Sequence, residues 1–164
     1  MFLKYAELLW DHDEKAYSQY MKDLAPIVLF TYNRLDHTKK TIEALKGNIY
    51  AKESSLFVYS DAPKTEKDAV SVQSVRDYLR TVDGFRDVRI IMRKENWGLA
   101  RNIIDGVTKI VNEYGKIIVL EDDIVTSKYF LKYMNDALTL YKDFPQVMSV
   151  SGYMYPIEKE NLPE

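Results

Sequence analysis

The chain has 164 residues, 46% apolar and 29% charged, which bounds it as one soluble globular domain with a core of its own. A net charge of −2 supplies no positive field for nucleic acid, and the absence of cysteine excludes disulfides, zinc–thiolate sites and cysteine nucleophiles. No apolar run approaches a membrane span, and Met1-Phe2-Leu3-Lys4 meets Glu7, Asp11 and Asp13 too soon to be a signal peptide, so the expected location is the cytoplasm, with at most a peripheral membrane contact.

Residues 1–24 read as a helical extension. Tyr5, Leu8, Leu9, Ala16, Tyr17, Tyr20, Met21 and Leu24 recur at helical spacing between charges over 3–24. Such a stripe usually packs on its own domain; contact with a second copy, another partner or a membrane surface are the other roles open to it. A regular alternation follows over 25–164. Residues 26–32 form a first strand, and Asp36 is expected to cap a helix running to Lys46, with Gly47-Asn48 as its stop. A second strand spans 56–60 and ends at Asp61-Ala62-Pro63. Thr65 and Asp68 make a capping box before a helix striped by Val72, Val75, Leu79 and Val82.

Asp83-Gly84 turns the chain into a third strand, 88–92. The third helix starts near Trp97, with Leu99, Ile103, Val107, Ile110 and Tyr114 as its expected buried face and Gly115 as its stop. The fourth strand is short and branched, 116–120, runs straight into Glu121-Asp122-Asp123, and reads as buried on both faces. Ser127 is expected to cap a fourth helix through Phe130, Met134, Leu138 and Tyr141, closed by Phe144-Pro145. Residues 147–151 are expected to be a fifth strand, broken by Gly152.

The order β-α-β-α-β-α-β-α-β implies a largely parallel α/β sheet with helices on both faces. In a doubly wound order 3-2-1-4, the first and fourth strands meet at the topological switch point, where ligands bind beyond the carboxyl ends. That edge would gather Thr31, Asn33 and Arg34, the second-strand terminus Asp61, and the acid run Glu121-Asp122-Asp123. Three acids where a buried strand emerges are costly unless a positive group meets them. They cannot all point one way, because side chains alternate or fan out through the turn. One is free to hold a hard cation, Mn²⁺ or Mg²⁺, that takes its other ligands from a diphosphate. Capping the next helix or facing solvent is the plainer alternative.

Asn33 offers a donor and an acceptor, and Asp61 suits an N–H of a pyrimidine ring or a plain turn. Residues 93–102 bring Arg93, Lys94 and Arg101 to the same edge and open a helix whose N–H groups favour anions. Arg101 falls off the apolar stripe and is free to face a ligand, whereas Trp97 reads as core cover. His12 and His37 lack partners for zinc or a proton relay, and Ser60 and Ser151 lack a hydrolase elbow. Neither a Walker loop nor G-x-G-x-x-G is present.

Four segments, residues 26–34, 57–61, 95–102 and 119–124, resemble GT-A-fold nucleotide-sugar glycosyltransferases. The first and third are similar to glycosyltransferase family 2. The Glu121-Asp122-Asp123 form, with Tyr129-Phe130 and Val150-Ser151-Gly152, resembles N-acetylglucosaminyltransferase I; the likeness covers about 26–156. The resemblance implies a Rossmann-like GT-A fold and a sugar transferase. The donor would be a nucleoside-diphosphate sugar, a UDP-sugar by preference, and the acceptor a glycan, lipid-linked or protein hydroxyl. It implies that Asp123 binds Mn²⁺ or Mg²⁺, Asp122 meets the ribose or nearby nucleotide, and Glu121 the donor sugar. Thr31, Asn33, Arg34 and Asp61 would line the nucleoside pocket, and Arg101 would lie near the diphosphate or sugar. Relatives continue beyond the fifth strand with the acceptor side and the catalytic base. The expectation is therefore a donor-binding half that transfers sugar weakly or not at all. Alternatives are an inactive binding or interaction module of the same fold, or a nucleotidyltransferase, which would carry a glycine-rich segment where Asn33-Arg34-Leu35-Asp36 stand. A phospho-receiver is disfavoured, because Asn33, Arg93 and Gly152 hold its required positions.

Overall fold

The computed structural model of the protein describes residues 14–153. The expected helix over 3–24 is thus described from Glu14 onward, as α1 (Glu14–Lys22). Its Tyr20 is buried and donates from its hydroxyl to Asp136 Oδ1 at 2.7 Å, so this helix packs on its own domain. Residues 154–164, and with them the expected end of the domain, lie outside the described residues.

Four strands form one parallel sheet in the order β3-β2-β1-β4. They are β1 (Ile27–Thr31), β2 (Ser55–Ser60), β3 (Asp87–Met92) and β4 (Ile118–Glu121). The expected switch point is therefore real: β1 pairs with β2 on one side and with β4 on the other, with Phe30 opposite Glu121. The connections are α2 (Leu35–Lys46), a 3₁₀ turn (Glu66–Asp68) leading into α3 (Ala69–Leu79), α4 (Gly98–Tyr114) and α5 (Phe130–Leu140).

Strand alternation divides the core in two. Ile27, Leu29, Leu56, Val58, Ile118 and Leu120 face one side and pack on Ile42 and Leu45 of α2, Val75 and Leu79 of α3, and Leu131 of α5. Val28, Phe30, Phe57 and Tyr59 face the other side and pack on Ile103, Val107 and Ile110 of α4. Each fully buried Leu or Ile contributes about 1.5–3 kcal/mol by leaving water, so this periodicity settles which helix covers which face. On the α4 face, Gly106 lets helix and sheet approach closely; a Cβ there would stand 2.9 Å from the Phe30 ring. Gly115 ends α4 in the left-handed region, at φ 75°, as its place in the sequence predicts. The Thr65–Asp68 capping box forms, and Val72, Val75 and Leu79 are buried as expected.

Five local expectations are corrected. β4 is not buried on both faces, since Val119 is 40% exposed while Ile118 and Leu120 are buried. Residues 147–151 make no strand; their alternating apolar pattern finds no ladder partner among the described residues, although Val150 packs on the core beside α5. Leu99 is 59% exposed, because the buried stripe of α4 runs instead through Asn102, Gly106 and Ile110. Asp36 lies inside the first turn of α2 rather than capping it; the cap position is Arg34, whose carbonyl accepts the Thr38 hydroxyl at 2.9 Å. Ser127 does not cap α5 with its side chain. Asn48 does so from across the fold, its Oδ1 accepting Leu131 N–H at 2.9 Å.

Candidate nucleotide and cation site

The site lies where β1 and β4 end side by side. Past the Phe30–Glu121 pair, the next neighbours in register are Thr31 and Asp122. Both lie on the α2 side of the sheet, because they continue the Ile27–Leu29 and Ile118–Leu120 alternation. Both are buried, and Thr31 Oγ1 and Asp122 Oδ2 have no hydrogen-bond partner among the described residues. Buried polar atoms are nearly always paired, so two orphans at one strand junction mark a place that another group completes.

Arg34 meets the acids from the start of α2. Its guanidinium bonds to Asp122 Oδ1 and also reaches Asp123 Oδ2 at 3.1 Å. The bond to Asp122 is the main reason the Arg34 pKa rises above its ordinary value, against the opposing effect of burial. Thr41, about two turns further along α2, donates its hydroxyl to the Asp122 carbonyl at 2.9 Å. Asn48 at the end of α2 donates to Thr126 Oγ1, and Ile49 N–H donates to the Lys128 carbonyl. Helix α2 thereby holds the loop after β4 at three points.

The three acids diverge, as backbone alternation requires. Asp122 turns toward α2 and is 3% exposed. Glu121 is half-buried, shares the opposite side with Val119, and its carboxylate has no partner among the described residues. Asp123 has a half-exposed side chain and Arg34 as its one partner among the described residues. A hard cation would find an oxygen donor in Asp123. Among the described residues no group of three or more His, Asp or Glu could hold a metal by itself. The donor set fits Mn²⁺ or Mg²⁺ only as one or two protein carboxylates, with a ligand's phosphate oxygens and water supplying the rest.

The second half of the edge is built differently. Asp61, at the end of β2, is buried, and its carboxylate accepts four N–H groups. They are Ala62 N–H (2.9 Å), Trp97 N–H (3.0 Å), Gly98 N–H (2.9 Å) and Asn96 Nδ2 (3.2 Å). The start of α4, which the sequence offers to an external anion, is therefore occupied by this internal one. Asn33 is half-buried and reaches Asp68 Oδ1 at 3.4 Å. Tyr32 OH accepts Lys64 N–H at 2.9 Å, which ties the β1 end to the loop after Asp61.

Arg101 is not brought to the acids. It lies 4.0 Å from the centre of the Trp97 ring and pairs with Glu95 at 3.8 Å, its only partners among the described residues. Arg93, also offered by the sequence as a free cation, is buried. It stacks on Trp97 at 3.8 Å and bonds to Asn102 Oδ1 and Asp105 Oδ2. Burial pushes the Asp105 carboxyl up, but its bonds to Lys109 and Arg93 prevail and hold it below the usual range. Sequence reasoning omitted Thr41 and Asn96, and read Asn48 only as a helix stop rather than as a tie to Thr126 and Leu131. Asn96 lay inside a motif already singled out, whereas nothing in the local pattern of α2 marks Thr41, or Asn48 for that role.

No helix among the described residues is long and apolar enough to cross a membrane. No curated protein matches the chain. Among solved structures, the crystal structure of S. aureus TarS matches with 16% identity and a TM-score of 0.48, over 72% of this chain and 19% of that one. The chain thus spans about a fifth of that protein's length. Residues 27–153, from the first residue of β1 to the end of the described chain, match the sequence profile of Glycosyl transferase family 2. With its parallel sheet in the order β3-β2-β1-β4 and helices on both faces, the chain has the Rossmann-like GT-A fold and belongs to Glycosyl transferase family 2.

Proposed function

We propose that this chain binds a nucleoside-diphosphate sugar, a UDP-sugar by preference, across the β1–β4 edge and serves sugar transfer to an acceptor hydroxyl. The observation that carries this reading is the pair of buried, unpartnered oxygens, Thr31 Oγ1 and Asp122 Oδ2, beside the Arg34–Asp122–Asp123 cluster at the switch point. A ribose hydroxyl can donate to Asp122 Oδ2, while Thr31 can donate or accept. Asn33 and the Asp61–Asn96 loops form the wall on the nucleoside side. Asp61 shapes that wall through the start of α4, and it could take a base N–H only if one of its present donors gave way.

Arg34 has two carboxylates to hold and can turn one guanidinium edge to a diphosphate when a cation takes Asp123. Such a cation, Mn²⁺ or Mg²⁺, neutralises charge that develops on the departing diphosphate. Glu121, on the opposite side of β4 and free of protein partners, is the acid available to the donor sugar. The acceptor we propose is a glycan, lipid-linked or protein hydroxyl.

A thermal-shift screen of nucleoside diphosphates with and without Mn²⁺ tests this reading. A ligand at a hundred times its Kd adds about 2.7 kcal/mol to stability, or roughly 5–10 °C in a chain of this size. The expected result is a metal-dependent rise with UDP or a UDP-sugar. A flat response to every nucleotide sinks the donor-site reading.

A further inference from the structure

Helix α3 carries a charge that neither the core nor the acid cluster explains. Arg76 is half-buried and forms no ion pair among the described residues, although its guanidinium is engaged. Nε donates to Ser60 Oγ at 3.3 Å. Nη2 meets the main-chain carbonyls of Ser60 at 3.4 Å, Asp61 at 3.2 Å and Arg93 at 2.8 Å. Burial and the neighbouring Arg80 charge push its pKa below the ordinary arginine value, only partly offset by Asp61. A guanidinium held against carbonyls without a carboxylate is an expensive way to fill space, so its position calls for a purpose.

That purpose is visible in what the carbonyls belong to. β2 and β3 run in parallel and share a last bond, Arg93 N–H to the Ser60 carbonyl at 2.9 Å. Beyond it the two chains part into separate loops, residues 61–65 and 93–97. Asp61 joins those loops on one side, through Asn96, Trp97 and Gly98. Arg76 joins them on the other, through the carbonyls of Asp61 and Arg93. Its planar fork can serve several acceptors at once, which a lysine ammonium on a flexible stem does poorly.

We propose that Arg76 is a positioning residue of the nucleotide site: it clamps the ends of β2 and β3 and so sets the two loops, joined through Asp61 and Asn96, that form the wall on the nucleoside side. This role rests on the donor-site reading above. It leaves the Arg34–Asp123 end of the site untouched, because Arg76 shares no partner with that cluster.

The test combines hydrogen exchange with two titrations on R76Q and R76K. R76Q should raise amide exchange about tenfold in residues 61–65 and 93–98, with no change in 122–128. Its Kd for UDP in saturating Mn²⁺ should rise about tenfold, while the Mn²⁺ concentration that half-saturates the metal dependence of UDP binding stays at the wild-type value. R76K keeps the charge and should give a smaller shift in both loops, which keeps the test valid if R76Q folds poorly. Loops that exchange as in wild type overturn the clamp. Loosened loops with unchanged UDP affinity overturn its role in binding and leave a purely structural contact. A wild-type protein that binds no nucleoside diphosphate overturns the donor-site reading itself, a result separable from the first two because it appears before any substitution is made.

Discussion

Replacing Asp61 by alanine is expected to lower folding stability by about 3 kcal/mol. The side chain is 5% exposed and accepts four N–H groups, two of them main-chain donors at the start of α4. Losing a helix cap alone costs about 1 kcal/mol, and each buried donor left unmade adds about 1–3 kcal/mol. Water entering the vacated space returns part of that cost. The substitution also frees the loop that carries Asn96, so nucleotide affinity should fall with stability. Asp61→Asn keeps two acceptor positions but sets an amide N–H against main-chain donors, so it should lie between wild type and alanine. Urea unfolding at neutral pH measures both variants. A loss below about 1 kcal/mol for Asp61→Ala would show that the carboxylate is there for a ligand rather than for the helix.

Arg34 and Asp122 should respond unequally to truncation, although they bond to each other. Asp122→Ala removes a carboxylate whose Oδ2 is already buried without a partner. The Arg34 side chain left behind is half exposed and regains water. Stability should therefore drop by at most about 1 kcal/mol. Arg34→Ala instead leaves the Asp122 charge buried with no cation beside it. Complete burial of such a pair costs about 3–5 kcal/mol on truncation; discounted for the exposure of Arg34, about 2 kcal/mol is expected. The two should part again in binding. Asp122→Ala should weaken UDP affinity about a hundredfold, the scale of a lost bond to a buried charged group. Adding Mn²⁺ together with UDP should recover stability in Arg34→Ala, since the diphosphate then completes the cation's ligands and the cation stands in for the guanidinium. Paired urea titrations with and without Mn²⁺ and UDP decide this, and the reverse order of destabilisation would contradict it.

The strand order, and with it the meeting of Arg34 and the acid run at one sheet edge, was legible because it depends on the periodicity of short strands and helical stripes. Short apolar strands separated by helical stripes give β1, β2, β3 and β4, and the order β3-β2-β1-β4 then brings Arg34 to Asp122 across 88 positions. The divergence of Glu121, Asp122 and Asp123 was legible for the same reason. The helix caps were not. α4 is capped by Asp61 from 36 and 37 residues away and α5 by Asn48 from 83, so no local pattern could reveal either. Tertiary capping by Asn48 also explains why Ser127, a sound candidate by residue type, is unused, whereas Asp36 falls inside the first turn of α2, past the Arg34 cap position. Arg101 shows a different limit. Absence from the apolar stripe says that a side chain avoids the core, not what it faces, and here the Trp97 ring claims it. The segment 147–151 has strand-like residues, yet a strand needs a neighbouring backbone as well as a pattern.

The most direct test of the donor site is a calorimetric titration of UDP into wild-type protein and Asp123→Ala, each with and without Mn²⁺. Asp123 is half exposed, with Arg34 as its one partner among the described residues, so its removal should leave folding intact and act on binding alone. Wild type should bind UDP in a Mn²⁺-dependent manner, and Asp123→Ala should bind weakly with no response to the metal. Equal affinity and equal metal dependence in the two proteins would contradict the assignment of Asp123, and no binding by wild type in either condition would contradict the site as a whole.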